Sequence, residues 1–188
     1  MFVDSDDVLM PDIVKMLHCI CCEYDADMAS CSILKKSGDK VTVPKKSSDC
    51  KNVEIFEGDS KMSAYIRDRK LRNTVWGTLY SAELFCDIRF PAGRLYEDVF
   101  TMHRIVHKAR RIAKVGYEGY IYRQHPESIT KQVYSDRQVD IIHSRQTQLD
   151  FIREYYPELE PYSVTGMLQG CRGLTLRLAT AKKRHRDV

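Results

Sequence analysis

Several features that would place this sequence in a large protein class are missing. No run approaches the roughly 20 apolar residues that span a bilayer, so no transmembrane helix is predicted. The N-terminus reads MFVDSDDV and is acidic where a secretory signal would be basic. The seven cysteines follow no regular spacing, and no glycine-rich phosphate loop is present. We therefore expect a cytoplasmic protein with reduced thiols.

The composition is that of a folded domain. The chain has 188 residues, of which 43% are hydrophobic and 30% charged, enough to build a core and too apolar for a disordered tail. Thirty Lys and Arg against 26 Asp and Glu give a net charge of +4. This mild excess permits an anionic ligand or a membrane surface. Nucleic-acid binding would rest only on the basic tail at 182–186, so we expect none.

The apolar pattern predicts a mixture of helices and strands, hence an α/β or α+β fold. Strands are expected at 1–3, 29–36, 40–44, 75–80, 88–91 and 117–123, and a hairpin turn should join those at 29–36 and 40–44. Helices are expected after Pro11, at 60–70, from 96, at 136–154 and at 163–182, with a short one at 83–85. We divide the chain into a domain at 1–135 and a helical C-terminal extension with a basic tail at 136–188.

An acidic cluster follows the first apolar residues. Asp4, Asp6 and Asp7 are three carboxylates within four residues, and they repel one another unless a cation or solvent relieves them. At the end of a buried strand, alternate aspartates can reach one divalent ion, and their hard oxygen ligands suit Mg²⁺ or Mn²⁺. The alternative interpretation is a solvated turn with a helix cap.

A second acidic pair, Glu97 and Asp98, stands at the start of a predicted helix. A carboxylate that faces a cleft can act as a general base. The alternative is that the pair only complements the helix dipole.

Four motifs taken in order resemble one family. They are FVDSDDVL with the following PD, WGTLY with ELF, IRFPAGRLYEDV, and YIYRQH with SIT, at 2–12, 76–85, 88–99 and 120–130. Together they resemble segments of family 2 glycosyltransferases of the GT-A fold. The match is closest to bacterial enzymes that build capsular, exopolysaccharide or lipopolysaccharide chains of the cell envelope.

The resemblance implies roles for individual residues. It implies that Asp6, with Asp4 beside it, binds the Mn²⁺ or Mg²⁺ ion that holds the donor diphosphate. It implies that Asp98, next to Glu97, is the catalytic base of an inverting transfer. The implied substrate-binding residues are Asp4, Trp76, Arg123 and His125.

The implied partners are a nucleotide diphosphate sugar donor and a saccharide or lipid-linked acceptor. The implied location is the cytoplasm, with peripheral attachment at the inner face of the cell membrane as an open alternative.

The resemblance also places a nucleotide-binding portion before the acidic motif, and this sequence starts at that motif. We therefore expect a truncated GT-A-like domain whose mixed sheet lacks several parallel strands, and little turnover by the chain alone. The alternative function is a non-catalytic remnant that binds or complements another chain.

Overall fold

The computed structural model describes residues 1–37, 52–124 and 134–184 as a mixed α/β fold. The predicted hairpin turn at 38, the strand at 40–44, His125 and the SIT segment lie outside the described residues. The same holds for the side chains of the basic tail.

Five strands form one mixed sheet. They are β1 (Val8–Leu9), β2 (Met28–Ser37), β3 (Val53–Glu57), β4 (Thr78–Tyr80) and β5 (Arg111–Gln124). The order is β1-β5-β2-β4, and β3 pairs with β5 as well. Strand β5 runs parallel to β2, whereas β1 and β3 pair antiparallel with its C-terminal and N-terminal parts. The long strand β5 therefore organises the sheet.

The helices are α1 (Ile13–Tyr24), α2 (Ser60–Met62), α3 (Glu97–Lys108), α4 (Asp140–Tyr155) and α5 (Glu160–Arg184). Helix α2 continues into a π-helical turn, Ser63–Arg67, and 3₁₀ turns occupy Ala82–Phe85, Asp136–Val139 and Pro157–Leu159. The expected helical segment from residue 136 is confirmed. Within the described residues, no helix is both long and apolar enough to cross a membrane.

Alternation along β5 separates two hydrophobic clusters. Ile112 belongs to the cluster formed with α3 and α4, whereas Ala113, Val115 and Tyr117 belong to the cluster under α1. Helix α1 approaches β5 closely at Gly119, where an added Cβ would lie 2.8 Å from a carbon of Ile13. The sheet is thus covered by different helices on its two faces.

The expected strand at 88–91 is wrong. These residues form no strand in the structure, and Ile88 and Phe90 pack into the core from an irregular segment. The Arg89 guanidinium donates to the Ile88 carbonyl oxygen at 2.9 Å and also to that of Phe85. Pro91 brings no N–H donor, so the segment satisfies its backbone locally instead of joining the sheet.

The expected strand at 1–3 is reduced to a single bridge, in which Phe2 pairs in parallel with Trp76. The Phe2 ring packs edge-on against Tyr80, Phe85 and Phe90 at centroid distances of 5.4 to 6.0 Å. Aromatic packing therefore holds this segment against the region that contains Trp76.

Candidate functional site

Strand β5 anchors the acidic cluster through Tyr120 and the main chain of Arg123. The Tyr120 hydroxyl donates to Asp7 Oδ2 at 2.6 Å, and the Asp4 main-chain N–H donates to the same hydroxyl at 3.2 Å. The Arg123 main-chain N–H donates to Asp7 Oδ1 at 2.9 Å. Both Asp7 oxygens thus have structural partners, while the Asp4 and Asp6 side chains lie at the surface.

The acidic pair at the start of α3 lies beside this cluster. The pKa of Asp4 is raised, first by partial burial and then by repulsion from Asp7, Asp6 and Glu97. Asp4 and Glu97, which are 93 positions apart in sequence, lie within electrostatic range of each other in the fold, although Glu97 is the smallest of these influences on Asp4. This region therefore concentrates negative charge.

The acidic motifs leave few carboxylates free to bind a metal. Among residues 1–37, 52–124 and 134–184, no group of three or more His, Cys, Asp or Glu is arranged to hold a metal ion. Asp7 is engaged by Tyr120 and Arg123, which leaves Asp4 and Asp6. Mg²⁺ is commonly held by one or two carboxylates together with substrate phosphates, and Asp4 and Asp6 are the candidate carboxylates of this cluster for that role.

Asp98 occupies the second residue of α3 and is partly buried. Burial raises its pKa from 3.8 to about 6, and the neighbouring Glu97 adds to the rise. The Val99 main-chain N–H, which donates to Asp98 Oδ1 at 2.7 Å, and the positive charge of Arg145 oppose this rise. A carboxylate with this pKa is ionised at neutral pH and is basic enough to accept a proton.

Helix α4 holds the turn that presents this acidic pair. Asp140 is buried, and its carboxylate accepts hydrogen bonds from the Leu95 main-chain N–H at 3.0 Å and from Arg94 Nη1 at 2.8 Å. The next residue, Tyr96, has a left-handed conformation with φ of +60°, which is strained for a side chain of this size. The hydrogen bonds to Asp140 of α4 hold the backbone next to this strained residue in place.

A cavity of about 680 Å³ is lined by residues of β2, the segment 65–76, β5, α4 and α5. Its wall includes Tyr65 and Arg145, and both side chains are close enough to Asp98 to interact electrostatically with it. The volume falls within the range of about 300 to 1,000 Å³ that is typical of small-molecule sites. Neither residue is marked as functional by its sequence pattern, because each occupies an ordinary position in a helical segment.

Trp76, expected to bind substrate, forms part of the cavity wall. Its ring stacks against Tyr122 at 5.3 Å with an interplanar angle of 4°, and against Tyr120 at 4.9 Å. Tyr120 therefore contacts the cavity wall through its ring and the acidic cluster through its hydroxyl. Arg123 lies beside the acidic cluster and is not among the residues that line the cavity.

The sequence is similar to one curated glycosyltransferase. It is 30% identical over 146 residues to glycosyltransferase GlyA of Streptococcus pneumoniae serotype 4. The alignment covers 69% of this chain and 19% of that relative, so the chain spans about a fifth of the relative's length. No protein-family model matches the sequence.

Solved structures of S. aureus TarS are also similar. One is 22% identical, covering 83% of this chain and 28% of that one, with a TM-score of 0.46. Another, TarS 1–349 in complex with UDP-GlcNAc, is 18% identical and covers 96% of this chain and 59% of that one, with a TM-score of 0.47. In sequence, the chain is glycosyltransferase-like.

Proposed function

We propose that this chain carries the catalytic base and the metal ligands of an inverting, metal-dependent glycosyltransferase of family 2. Asp98 accepts the proton of an acceptor hydroxyl, and the acceptor oxygen bonds to the anomeric carbon of the donor sugar. The bond between that carbon and the diphosphate breaks, and the nucleoside diphosphate leaves with the electron pair. The anomeric configuration inverts because a single displacement takes place.

The observation that carries this proposal is the closeness of the two acidic motifs. A base for the acceptor and a binding site for the diphosphate must flank the same sugar, and Asp4 and Glu97 are near enough to repel each other. Asp98 follows Glu97 directly and has a pKa of about 6, suited to proton abstraction near neutral pH.

Asp4 and Asp6 are the proposed metal ligands, with Mn²⁺ or Mg²⁺ as the ion. When bound, the ion would neutralise charge on the departing diphosphate. The crowding of Asp4 by neighbouring carboxylates favours a cation here, because cation binding relieves that repulsion.

The proposed donor is a nucleotide diphosphate sugar, and the proposed acceptor is a saccharide or a lipid-linked saccharide of the cell envelope. The similarity to a curated glycosyltransferase supports the reaction class. We place the reaction in the cytoplasm or at the inner face of the membrane, where the implied biosynthesis uses such donors.

The test is release of nucleoside diphosphate from a nucleotide sugar in the presence of acceptor and Mn²⁺. It is run on the 188-residue chain alone and with a second polypeptide that carries the nucleotide-binding portion implied by the family resemblance. Asp98→Asn is compared with wild type, and donor binding is measured separately by calorimetry. We expect release by the supplemented chain, loss of release in Asp98→Asn, and unchanged donor binding in that variant.

Two outcomes would contradict the proposal. One is no release of nucleoside diphosphate either by the chain alone or by the chain with the second polypeptide, which would favour the non-catalytic alternative. The other is equal release by wild type and Asp98→Asn, which would remove Asp98 from the reaction. Glu83→Gln is the matched control: it removes one carboxylate charge at an exposed position of the 3₁₀ turn and should release product as wild type does.

A further inference from the structure

The cavity wall carries an unbalanced positive charge. Among the residues described as lining it are four cations, Lys35, Arg69, Arg72 and Arg145, and no aspartate or glutamate. Arg69 donates to Gln169 at 2.9 Å and Arg145 donates to Gln148 at 2.8 Å, and these amide partners leave the charges uncompensated. The charge of Asp98 also acts on Arg145, but Asp98 is not among the described lining residues. An anionic ligand would supply the missing charge.

Neutral polar side chains complete the wall. Asn73, Gln148 and Gln169 line the cavity together with the four cations. Side-chain amides can hydrogen-bond to hydroxyl groups and to anionic groups alike.

Aromatic rings supply the apolar part of the wall. Trp76 and Tyr122 are nearly parallel, and Tyr65 and Tyr162 also line the cavity. Trp76 already stacks on two tyrosine rings, whereas Tyr162 is 44% exposed and offers an open ring surface. An open aromatic surface packs against the C–H face of a sugar ring, while hydroxyls and anionic groups of the sugar reach the surrounding polar side chains. The combination suits a saccharide better than a small inorganic anion.

Helix α4 connects the cavity to the start of α3. It contributes Arg145 and Gln148 to the wall, and its Asp140 accepts hydrogen bonds from Leu95 and Arg94 shortly before Asp98. No residue of the acidic cluster at 4–7 is among the described lining residues, and Tyr120, which binds that cluster, is buried and does not line the cavity. In the proposed reaction the base contacts the acceptor, and the metal ligands contact the donor diphosphate. The ligand in the cavity is therefore on the acceptor side.

We propose that this cavity binds the acceptor, and that the acceptor is an anionic saccharide that carries phosphate or carboxylate groups. The assignment to the acceptor rests on the proposed function, whereas the binding of charged sugars to the cavity can be tested without any transfer.

The experiment uses the fluorescence of Trp76, which is the chain's single tryptophan and lies in the cavity wall. The full chain is titrated with glucose 1-phosphate, glucuronic acid and glucose as probes. We expect saturable changes with one or both charged sugars and binding of glucose at least roughly tenfold weaker, because glucose lacks the charged group that would hydrogen-bond to the cations of the wall. The two charged probes distinguish a phosphate-bearing acceptor from a carboxylate-bearing one.

Substitutions test which cations are responsible. Arg72→Gln and Arg145→Gln should each weaken binding of the charged sugar roughly tenfold, and Arg72→Lys should retain most of it. Lys35→Gln adds a third variant at a more exposed position, so the test does not depend on Arg145→Gln folding normally. Arg172→Gln removes the same charge from an exposed position of α5 outside the cavity and should bind as wild type does.

Equal binding of glucose and the charged sugars, or unchanged binding in all three cavity variants, would overturn the inference. So would displacement of the charged sugars by a nucleoside diphosphate whose own binding is weakened by Asp6→Asn, because the cavity would then belong to the donor. Loss of transfer activity with intact binding of charged sugars would refute the proposed function alone.

Discussion

The raised pKa of Asp98 predicts that this residue destabilises the folded chain at neutral pH. Removing its charge by Asp98→Asn keeps a side-chain oxygen that can accept the hydrogen bond from the Val99 N–H. The folded-state pKa of about 6 lies above the ordinary value of 3.8. The protonated form is therefore favoured by folding, and stability falls as pH rises from the unfolded pKa through the folded one.

The size of this effect on stability follows from the shift in the pKa of Asp98. A tenfold change in proton affinity corresponds to about 1.4 kcal/mol, so the shift from 3.8 to about 6 is equivalent to about 3 kcal/mol. Asp98→Asn should therefore gain up to about 3 kcal/mol over wild type between about pH 4 and about pH 7.5. A proposed catalytic group that lowers stability is consistent with the trade-off between stability and activity at many functional sites.

The assay is urea unfolding of both proteins across this pH range, with the free energy of unfolding compared at each pH. Glu83→Gln serves as the control, since it removes an exposed carboxylate, and its difference from wild type should stay within about 0.5 kcal/mol. A difference between Asp98→Asn and wild type that does not change with pH would refute the reasoning, as would a less stable variant at neutral pH.

Three further substitutions test the scaffold around the site by urea unfolding. Tyr120→Phe removes the hydroxyl that binds Asp7 and should lower the free energy of unfolding by about 1.5–3 kcal/mol; an unchanged value would show that this bond is dispensable. Gly77→Ala should lower it by more than about 1 kcal/mol, because φ is +71° and the new Cβ would lie 2.7 Å from Ile33 Cδ1; a neutral effect would contradict that strain. Lys61→Met should lower it by about 1–3 kcal/mol, because the buried ammonium group donates to carbonyl oxygens at the end of α3. A more stable variant would show that the cost of burying the charged ammonium exceeds the gain from these hydrogen bonds.

The sequence predicts the regular elements where apolar periodicity is strong. The helix after Pro11 and the strand at 29–36 correspond to α1 and β2, and the long C-terminal helices begin near the expected residues. The segment at 88–91 was wrongly expected to be a strand, because the side chain of Arg89 occupies carbonyl groups that a neighbouring strand would use. A side chain's competition for backbone partners is invisible to a pattern of apolar and polar residues.

The candidate site was predictable only in part for the same kind of reason. The acidic motifs are short and local, so Asp4 and Asp98 could be named from the sequence. Asp140 and Arg145 support the turn before α3 and the cavity from a separate helix, and nothing in their spacing indicates either contact. Their roles depend on how α4 packs against α3, which only the tertiary structure defines.

The measurement that tests the account most directly is the pH dependence of sugar transfer, with the chain supplied with the nucleotide-binding portion. If Asp98 is the base, kcat/KM should rise about tenfold for each pH unit below about 6 and level off above it, because only the ionised carboxylate accepts the acceptor's proton. A profile that is flat from about pH 5 to about pH 8 would contradict the assignment of Asp98 as the base.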